Sequence, residues 1–196
     1  MADLAALCCA FDSDPSHIVG FLRWLADEHG LRPAPAVLDA GCGPGRLIAP
    51  LATLGWCVAA MEPEPSFRAR AEARADEVGA RVLAGGWNEL DGEAEYDLVV
   101  GINGSFSYLS TPGERLDAFR RAFHALRPGG VLFIDVPNFF WTLTNYRTPE
   151  PFHSTLDGRA VTLTRTPEID VHAATFTTLE EYAVEGERWR ERRPRA

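Results

Sequence analysis

The ten residues V-L-D-A-G-C-G-P-G-R, Val37 to Arg46, constrain this chain more than any other stretch of it. A short apolar run, Ala36-Val37-Leu38, ends on the carboxylate of Asp39 and breaks into Gly41, Gly43 and Gly45. Leu47 to Leu54 then carries a helical pattern, closed by Gly55. Glycine lets a backbone turn tightly and lets a ligand approach it closely. A helix that starts at such a turn offers backbone N–H groups to a negative group. Strand, glycine turn and helix in that order open a β-α-β unit, and in such sheets ligands bind in the crevice at the strand ends.

The same alternation continues. Trp56 to Met61 is a second apolar strand, and Ser66 to Val78 an Ala/Arg/Glu-rich helix stopped by Gly79. Arg81 to Ala84 and Tyr96 to Val100 are further strands, Pro112 to Leu126 a helix, Arg127-Pro128-Gly129-Gly130 a turn and Val131 to Val136 a fifth strand. Short apolar runs, rather than alternating ones, mark strands buried on both faces. The fold class is therefore α/β, a doubly wound, mostly parallel Rossmann-like sheet with helices on both faces. Upstream, Asp14-Pro15-Ser16 starts a helix whose Ile18, Phe21, Leu22 and Leu25 recur at helical spacing as far as Gly30. Beyond Pro137 the pattern changes: Arg159 to Thr166 and Val171 to Val184 are rich in Thr, Val and Phe and read as antiparallel strands. Three regions follow: a helical cap over 1–35, the core over 36–137, and an antiparallel β insert and tail over 138–196.

Two details separate this turn from that of nicotinamide enzymes. Its spacing is G-x-G-x-G rather than G-x-G-x-x-G, and Asp39 at the strand end repels a pyrophosphate but suits an ammonium. Glu62 ends the second strand, 21 residues after Gly41, where a carboxylate accepts hydrogen bonds from ribose hydroxyls. Glu64 in the same M-E-P-E-P loop is its competitor.

These elements resemble the class I S-adenosylmethionine-dependent methyltransferase superfamily over about residues 36 to 137. The resemblance rests on the Val37–Arg46 turn, Glu62, Y-D-L-V-V-G-I-N (Tyr96 to Asn103) and L-R-P-G-G-V-L (Leu126 to Leu132). It is greatest to small-molecule methyltransferases, those acting on amino sugars among them, which carry an aromatic stretch like F-S-Y-L (Phe106 to Leu109) after the fourth strand and an antiparallel insert after the fifth. The resemblance implies S-adenosylmethionine as cofactor. Asp39, Ala40, Gly41, Cys42, Gly43, Gly45 and Arg46 would hold its methionine part, and Glu62, with Pro63 beside it, its ribose. The family's acidic contact to adenine falls on Gly86, a departure; Trp87 would cover the adenine face, or else pack in the core, and Asn88 would supply the hydrogen bond. Asn103, Phe106 and Tyr108 follow the fourth strand beside the methyl group, or pack that loop onto the sheet.

The implied activity is methyl transfer to nitrogen or oxygen of a small molecule. The alternatives are an NAD-dependent oxidoreductase and a non-catalytic cofactor-binding module of the same fold. The reaction calls for a general base only if the nucleophile arrives protonated. The candidates are Tyr108, His17 at the start of the first helix and His153 before the antiparallel insert. His124 reads as a helix-surface residue, and His29, which precedes the helix-ending Gly30, suits a helix C-terminus. The family fold ends in an antiparallel hairpin preceded by a helix. After Val184 this chain has Glu185-Gly186 and an Arg/Glu tail, so it reads as truncated, the alternative being that the Val161 and Val171 segments supply the missing edge.

Composition bounds the partners. The net charge is −9 and every one of the 19 basic residues is arginine, which argues against nucleic acid. The one basic cluster, Arg188, Arg190, Arg192, Arg193 and Arg195, is interrupted by Glu187 and Glu191 and reads as a solvated terminal helix. No apolar run reaches the roughly 20 residues of a membrane span, and the acidic N-terminus is not a signal peptide. Cys8, Cys9, Cys42 and Cys57 lack C-x-x-C spacing, so no metal is expected and the thiols read as reduced. A cytoplasmic protein acting on a small-molecule methyl acceptor is expected, with a homodimer allowed.

Overall fold

The computed structural model describes residues 3–145, 150–172 and 175–194. It divides into two compact units, Ser13–Asp135 and Met1–Asp12 with Val136–Ala196. The first holds a five-stranded parallel sheet built from β1 (Ala36–Ala40), β2 (Cys57–Glu62), β3 (Arg81–Ala84), β4 (Tyr96–Gly101) and β5 (Leu126–Ile134), in the order β3-β2-β1-β4-β5. The chain leaves β1 toward β2 on one side and returns to β4 on the other, so the order reverses beside β1. In open α/β sheets ligands bind beside such a reversal, at the carboxyl ends of the strands.

Side chains alternate across each strand. On β1, Val37 joins a core with Leu22, Ile48, Leu51, Val58 and Leu98, whereas Leu38 and Ala40 join one with Met61, Trp87, Tyr96, Val99 and Phe106. Helices α2 (Ser16–Glu28), α3 (Ile48–Thr53) and α4 (Pro65–Asp76) supply the first core, and α5 (Pro112–Ala125) the second. α5 lies close because its inner face is Ala118, Ala122 and Ala125, each fully buried. Its start is fixed by a capping box: Thr111 Oγ1 accepts from Glu114 N–H at 3.2 Å while Glu114 Oε2 accepts from Thr111 N–H at 2.8 Å.

The R-P-G-G segment, expected as a turn before the fifth strand, lies inside β5 instead. Tyr96 pairs with Leu126 and Leu98 with Val131, so Arg127 to Gly130 bulge between two paired stretches. Gly129 has φ +81° there, and a Cβ at Gly130 would meet Arg127 O at 2.9 Å and Asp97 O at 3.1 Å. Asp97 ties the bulge down, accepting from Arg127 Nη1 at 2.8 Å, Arg32 Nε at 2.6 Å and Ala36 N–H at 2.7 Å.

The second unit contains α1 (Leu4–Cys9), α6 (Phe139–Asn145) and a separate antiparallel sheet of β6 (Phe152–Leu156), β7 (Arg159–Asp170), β8 (Thr175–Val184) and β9 (Glu187–Pro194), ordered β6-β7-β8-β9. Leu7 of α1 is buried with Val161, Leu163, Tyr182 and Val184. The segment expected as one cap over 1–35 is thereby split: α1 packs on the antiparallel sheet, while Leu22 and Leu25 of α2 pack on the parallel one. The Val161 and Val171 segments pair within this second sheet, so among the described residues β5 stays the last strand of the first.

The Arg/Glu tail corrects the sequence reading: it is strand β9, not a helix, and Arg195 lies outside the described residues. Its charges have a period of two. Arg188 and Arg190 both reach Glu181, while Trp189 and Arg193 turn to the other face. Glu185 (φ +48°) and Gly186 (φ +89°) form the two-residue hairpin turn that fixes this register, as Asp157 (φ +51°) and Gly158 (φ +76°) do between β6 and β7. On the buried face Glu180, 1% exposed, accepts from Arg165 Nε at 3.0 Å and Tyr182 OH at 2.7 Å and pairs with Arg193 Nε at 2.9 Å.

Candidate cofactor site

Asp39 and Ala40 end β1 beside Met61 of β2. The backbone then turns hard: the N–H groups of Gly41 and Cys42 both donate to Met61 O, at 2.9 Å each. Gly43 N–H donates to Glu62 Oε2 at 2.8 Å. The first donors of the turn, which the sequence offers to an anion, are thus spent on the end of β2.

The three glycines serve different ends. All have positive φ, +76°, +58° and +82° for Gly41, Gly43 and Gly45. A Cβ at Gly41 would lie 2.6 Å from Ser105 Cβ, and one at Gly45 would lie 2.9 Å from Ala71 Cα and 2.8 Å from Ile48 Cδ1. Those two are glycine because the protein's own packing fills the space. A Cβ at Gly43 would meet nothing within 4 Å, so Gly43 borders open space.

Asp39 is 2% exposed, and its Oδ1 has no hydrogen-bond partner. Burial pushes its carboxyl up to about 7; the Arg46 guanidinium pulls the other way, and the Glu62 carboxylate adds to the rise. Arg46 is not clamped on Asp39, since its Nη1 donates to Ser13 Oγ at 2.6 Å. Burial, with Asp39 and Glu62 close by, also drives the Cys42 thiol far upward, so it stays protonated.

Glu62 is 7% exposed and spans two loops, Oε2 accepting from Gly43 N–H and Oε1 from Glu64 N–H at 2.9 Å. Burial raises its pKa, and those two N–H groups oppose the rise. A carboxylate has about four acceptor positions, so two remain for a ligand. Glu64 is otherwise engaged, capping α4 through Ser66 N–H at 3.0 Å. Pro63 lies against Gly86.

Beyond β3, Trp87 opens a short 3-10 turn, Trp87–Glu89, and is 4% exposed. Its ring meets Phe106 edge-on at 5.2 Å, and Phe106, 6% exposed, packs on Phe119 at 5.0 Å. Both aromatics sit in the core on the α5 side. Asn88 Oδ1 is buried without a hydrogen-bond partner. Glu89, not singled out in the sequence, folds back to the Gly86 N–H at 2.8 Å. After β4, Asn103 (φ +56°) and Gly104 (φ +73°) turn the chain into a second 3-10 segment, Ser105–Tyr108, where Tyr108 is 53% exposed. His17 is exposed on α2. His153 belongs to the antiparallel unit, its Nδ1 3.2 Å from Thr162 Oγ1.

The structure thus brings together Asp39, the glycine turn, Arg46, Glu62 and Pro63 at the ends of β1 and β2. Two residues the sequence reading passed over, Ser105 and Asp135, hold the neighbouring loop. Asn103-Gly104 signals a left-handed turn there, but nothing in the sequence tells what Ser105 meets. Among the described residues no group of three or more His, Cys, Asp and Glu is placed to hold a metal ion, and no helix is long and apolar enough to cross a membrane.

Residues 37–130 match the family described as "Methyltransferase domain". The ubiquinone biosynthesis O-methyltransferase of Azorhizobium caulinodans is 32% identical over 117 residues, which is 57% of this chain and 45% of that relative. The chain spans about half the length of the curated relatives it matches. The sugar N-methyltransferase KedS8 from Streptoalloteichus sp. superposes with a TM-score of 0.80 at 22% identity, covering 100% of this chain and 79% of its own. The amino pentose methyltransferase CalS10 from Micromonospora echinaspora, solved with its cofactor bound, gives 0.74 at 20% identity, covering 96% and 79%. Over residues 37–130 this chain thus matches a methyltransferase domain, and its five-stranded parallel sheet, followed by a separate antiparallel sheet, gives it the fold of the class I S-adenosylmethionine-dependent methyltransferases it superposes on.

Proposed function

We propose that this chain transfers a methyl group from S-adenosylmethionine to nitrogen or oxygen of a small molecule, with an amino sugar as the acceptor class. One observation carries the cofactor part: the unpartnered oxygen of buried Asp39 and the open space at Gly43, with Glu62 donating nothing and accepting from both loops. An orphaned buried carboxylate calls for a cation, and the α-ammonium of the cofactor's methionine arm is one. Glu62 would accept from the ribose hydroxyls with its remaining positions, and the orphaned Asn88 Oδ1 would accept from the adenine amine. These residues fit the group. The likeness to sugar and amino pentose methyltransferases supports the acceptor class.

When bound, the cofactor supplies a methyl carbon already activated by a sulfonium for in-line displacement. The work left to the chain is to orient the acceptor and exclude water. Tyr108, standing exposed on the loop after β4, His17 on α2 and His153 on β6 are the side chains proposed to take a proton from an acceptor that arrives protonated.

The test is calorimetric titration with S-adenosylhomocysteine, with NAD as the comparison, followed by a methyl-transfer assay on amino-sugar acceptors. Micromolar binding of the first ligand and none of the second is expected. Preference for NAD sinks the cofactor reading, and cofactor binding without transfer to any amino sugar sinks the acceptor class.

A further inference from the structure

We infer that Ser105 is a positioning residue, a hydroxyl clasp that sets the end of β1 and with it the half of the site facing the methionine arm. The inference rests on the S-adenosylmethionine reading above. The backbone ladder between β1 and β4 ends at the pair Asp39 and Val100. One residue further, the Ala40 carbonyl has no β4 partner in register, and Ser105 Oγ donates to it at 2.7 Å. A hydroxyl has one proton and two acceptor positions. Its proton being committed to Ala40, it accepts from Trp87 Nε1 at 3.3 Å. One oxygen thus joins the ends of β1 and β4 and the turn after β3.

The surroundings are shaped to this contact. A Cβ on Gly41 would strike Ser105 Cβ, and a Cβ on Gly101 would lie 2.4 Å from Trp87 Cζ2 and 3.1 Å from Ser105 Oγ. Gly41 and Gly101 are therefore glycines where the serine and the indole come through. The loop that delivers Ser105 is itself held: Gly104 N–H donates to Asp135 Oδ1 at 2.7 Å, and Asp135 N–H donates to Gly101 O at 2.9 Å. Asn103 and Gly104, both at positive φ, are the bend that this tether maintains. The peptide that Ser105 holds joins Ala40 to Gly41, between Asp39 and the open space at Gly43. Releasing it loosens the groups facing the amino-acid arm of the cofactor, whereas Glu62, anchored on Gly43 and Glu64, keeps the nucleoside side.

The test is calorimetry on the full chain with two probes, S-adenosylhomocysteine and 5′-methylthioadenosine, which keeps the nucleoside and lacks the amino-acid arm. Ser105→Ala should weaken S-adenosylhomocysteine about 5–10-fold, the effect of one lost hydrogen bond, and 5′-methylthioadenosine less than about 2-fold. Trp87→Phe, which removes the N–H and keeps a ring, should give a smaller loss with the same bias. The double variant should lose little beyond Ser105→Ala, because both act through one oxygen. A merely structural hydroxyl lowers the melting temperature and weakens both probes alike; equal losses, or none, overturn the assignment. If the wild-type chain binds neither probe, the cofactor reading itself falls, and the clasp with it.

Discussion

Asp39 should make the ligand-free protein less stable as pH rises, and Asp39→Asn should remove that dependence. Burial lifts its carboxyl from 3.8 to about 7 in the folded state. An acid whose folded pKa is raised favours the fold while protonated; that stability is fully present below the unfolded value near 4 and is lost as pH climbs through about 7. Three pKa units at about 1.36 kcal/mol each give a total near 4 kcal/mol, of which about 2–3 kcal/mol develops between pH 5 and pH 8. The side chain is 2% exposed, so solvent screens little of it. Asparagine is neutral throughout. The variant's advantage over the wild type should therefore grow by about 2–3 kcal/mol from pH 5 to pH 8, or about 5–10 °C in melting temperature at this chain length. Any fixed cost of the amide cancels in that difference. Thermal melts of both proteins without ligand, at pH 5, 6, 7 and 8, measure it. The same variant should bind S-adenosylhomocysteine about 10–100-fold more weakly, having lost a charge-assisted contact. A stability gap that is the same at pH 5 and pH 8 would refute the reasoning, because the carboxyl would then already be ionised in the folded protein.

Glu62→Ala should weaken S-adenosylhomocysteine by about 1–3 kcal/mol, since Gly43 N–H and Glu64 N–H lose their acceptor as the ribose does; an unchanged dissociation constant removes Glu62 from the site. Gly43→Val should abolish binding by filling the open space while costing the ligand-free fold only about 1–2 kcal/mol for its positive φ, as read by circular dichroism and urea titration. Gly45→Ala should show the opposite balance in the same titration, losing more stability than Gly43→Val because its Cβ meets Ala71 and Ile48. Glu180→Gln should destabilise the antiparallel unit by about 3–5 kcal/mol, because Arg165 and Arg193 both pair with that buried carboxylate; earlier proteolysis within residues 150–194 reports it.

The parallel half of the fold was legible because its signals are local. Apolar runs closed by Gly55 and Gly79 place strands and helices directly, and Asp39 and Glu62 lie at strand ends where the α/β rule puts ligands. The tail was misread because arginine and glutamate mix equally well on a helix face and on an edge strand. The deciding sign was Glu185-Gly186, whose two positive φ values make a hairpin turn. Splitting residues 1–35 was beyond the sequence for another reason: Leu7 and Leu22 are equally apolar, and only long-range packing assigns each to its own sheet. Trp87 and Phe106 show the same limit, since an aromatic after a strand end suits both a ligand face and a core, and these two are buried against each other.

The glycine turn shows best why a motif is weaker evidence than the site it forms. Three glycines at one spacing look alike in the sequence, yet two are glycine because of Ser105, Ala71 and Ile48, and a turn needed only for packing would keep those two. Gly43 alone has no neighbour to account for it, and it lies between a carboxylate with an orphaned oxygen and another that holds its N–H. Keeping Asp39 buried with one oxygen unpartnered is a standing cost to the ligand-free protein. A chain that needed only the fold would lower that cost with asparagine or serine at this position, so an acid at the end of β1 suits the ammonium contact proposed for it better than a packing role.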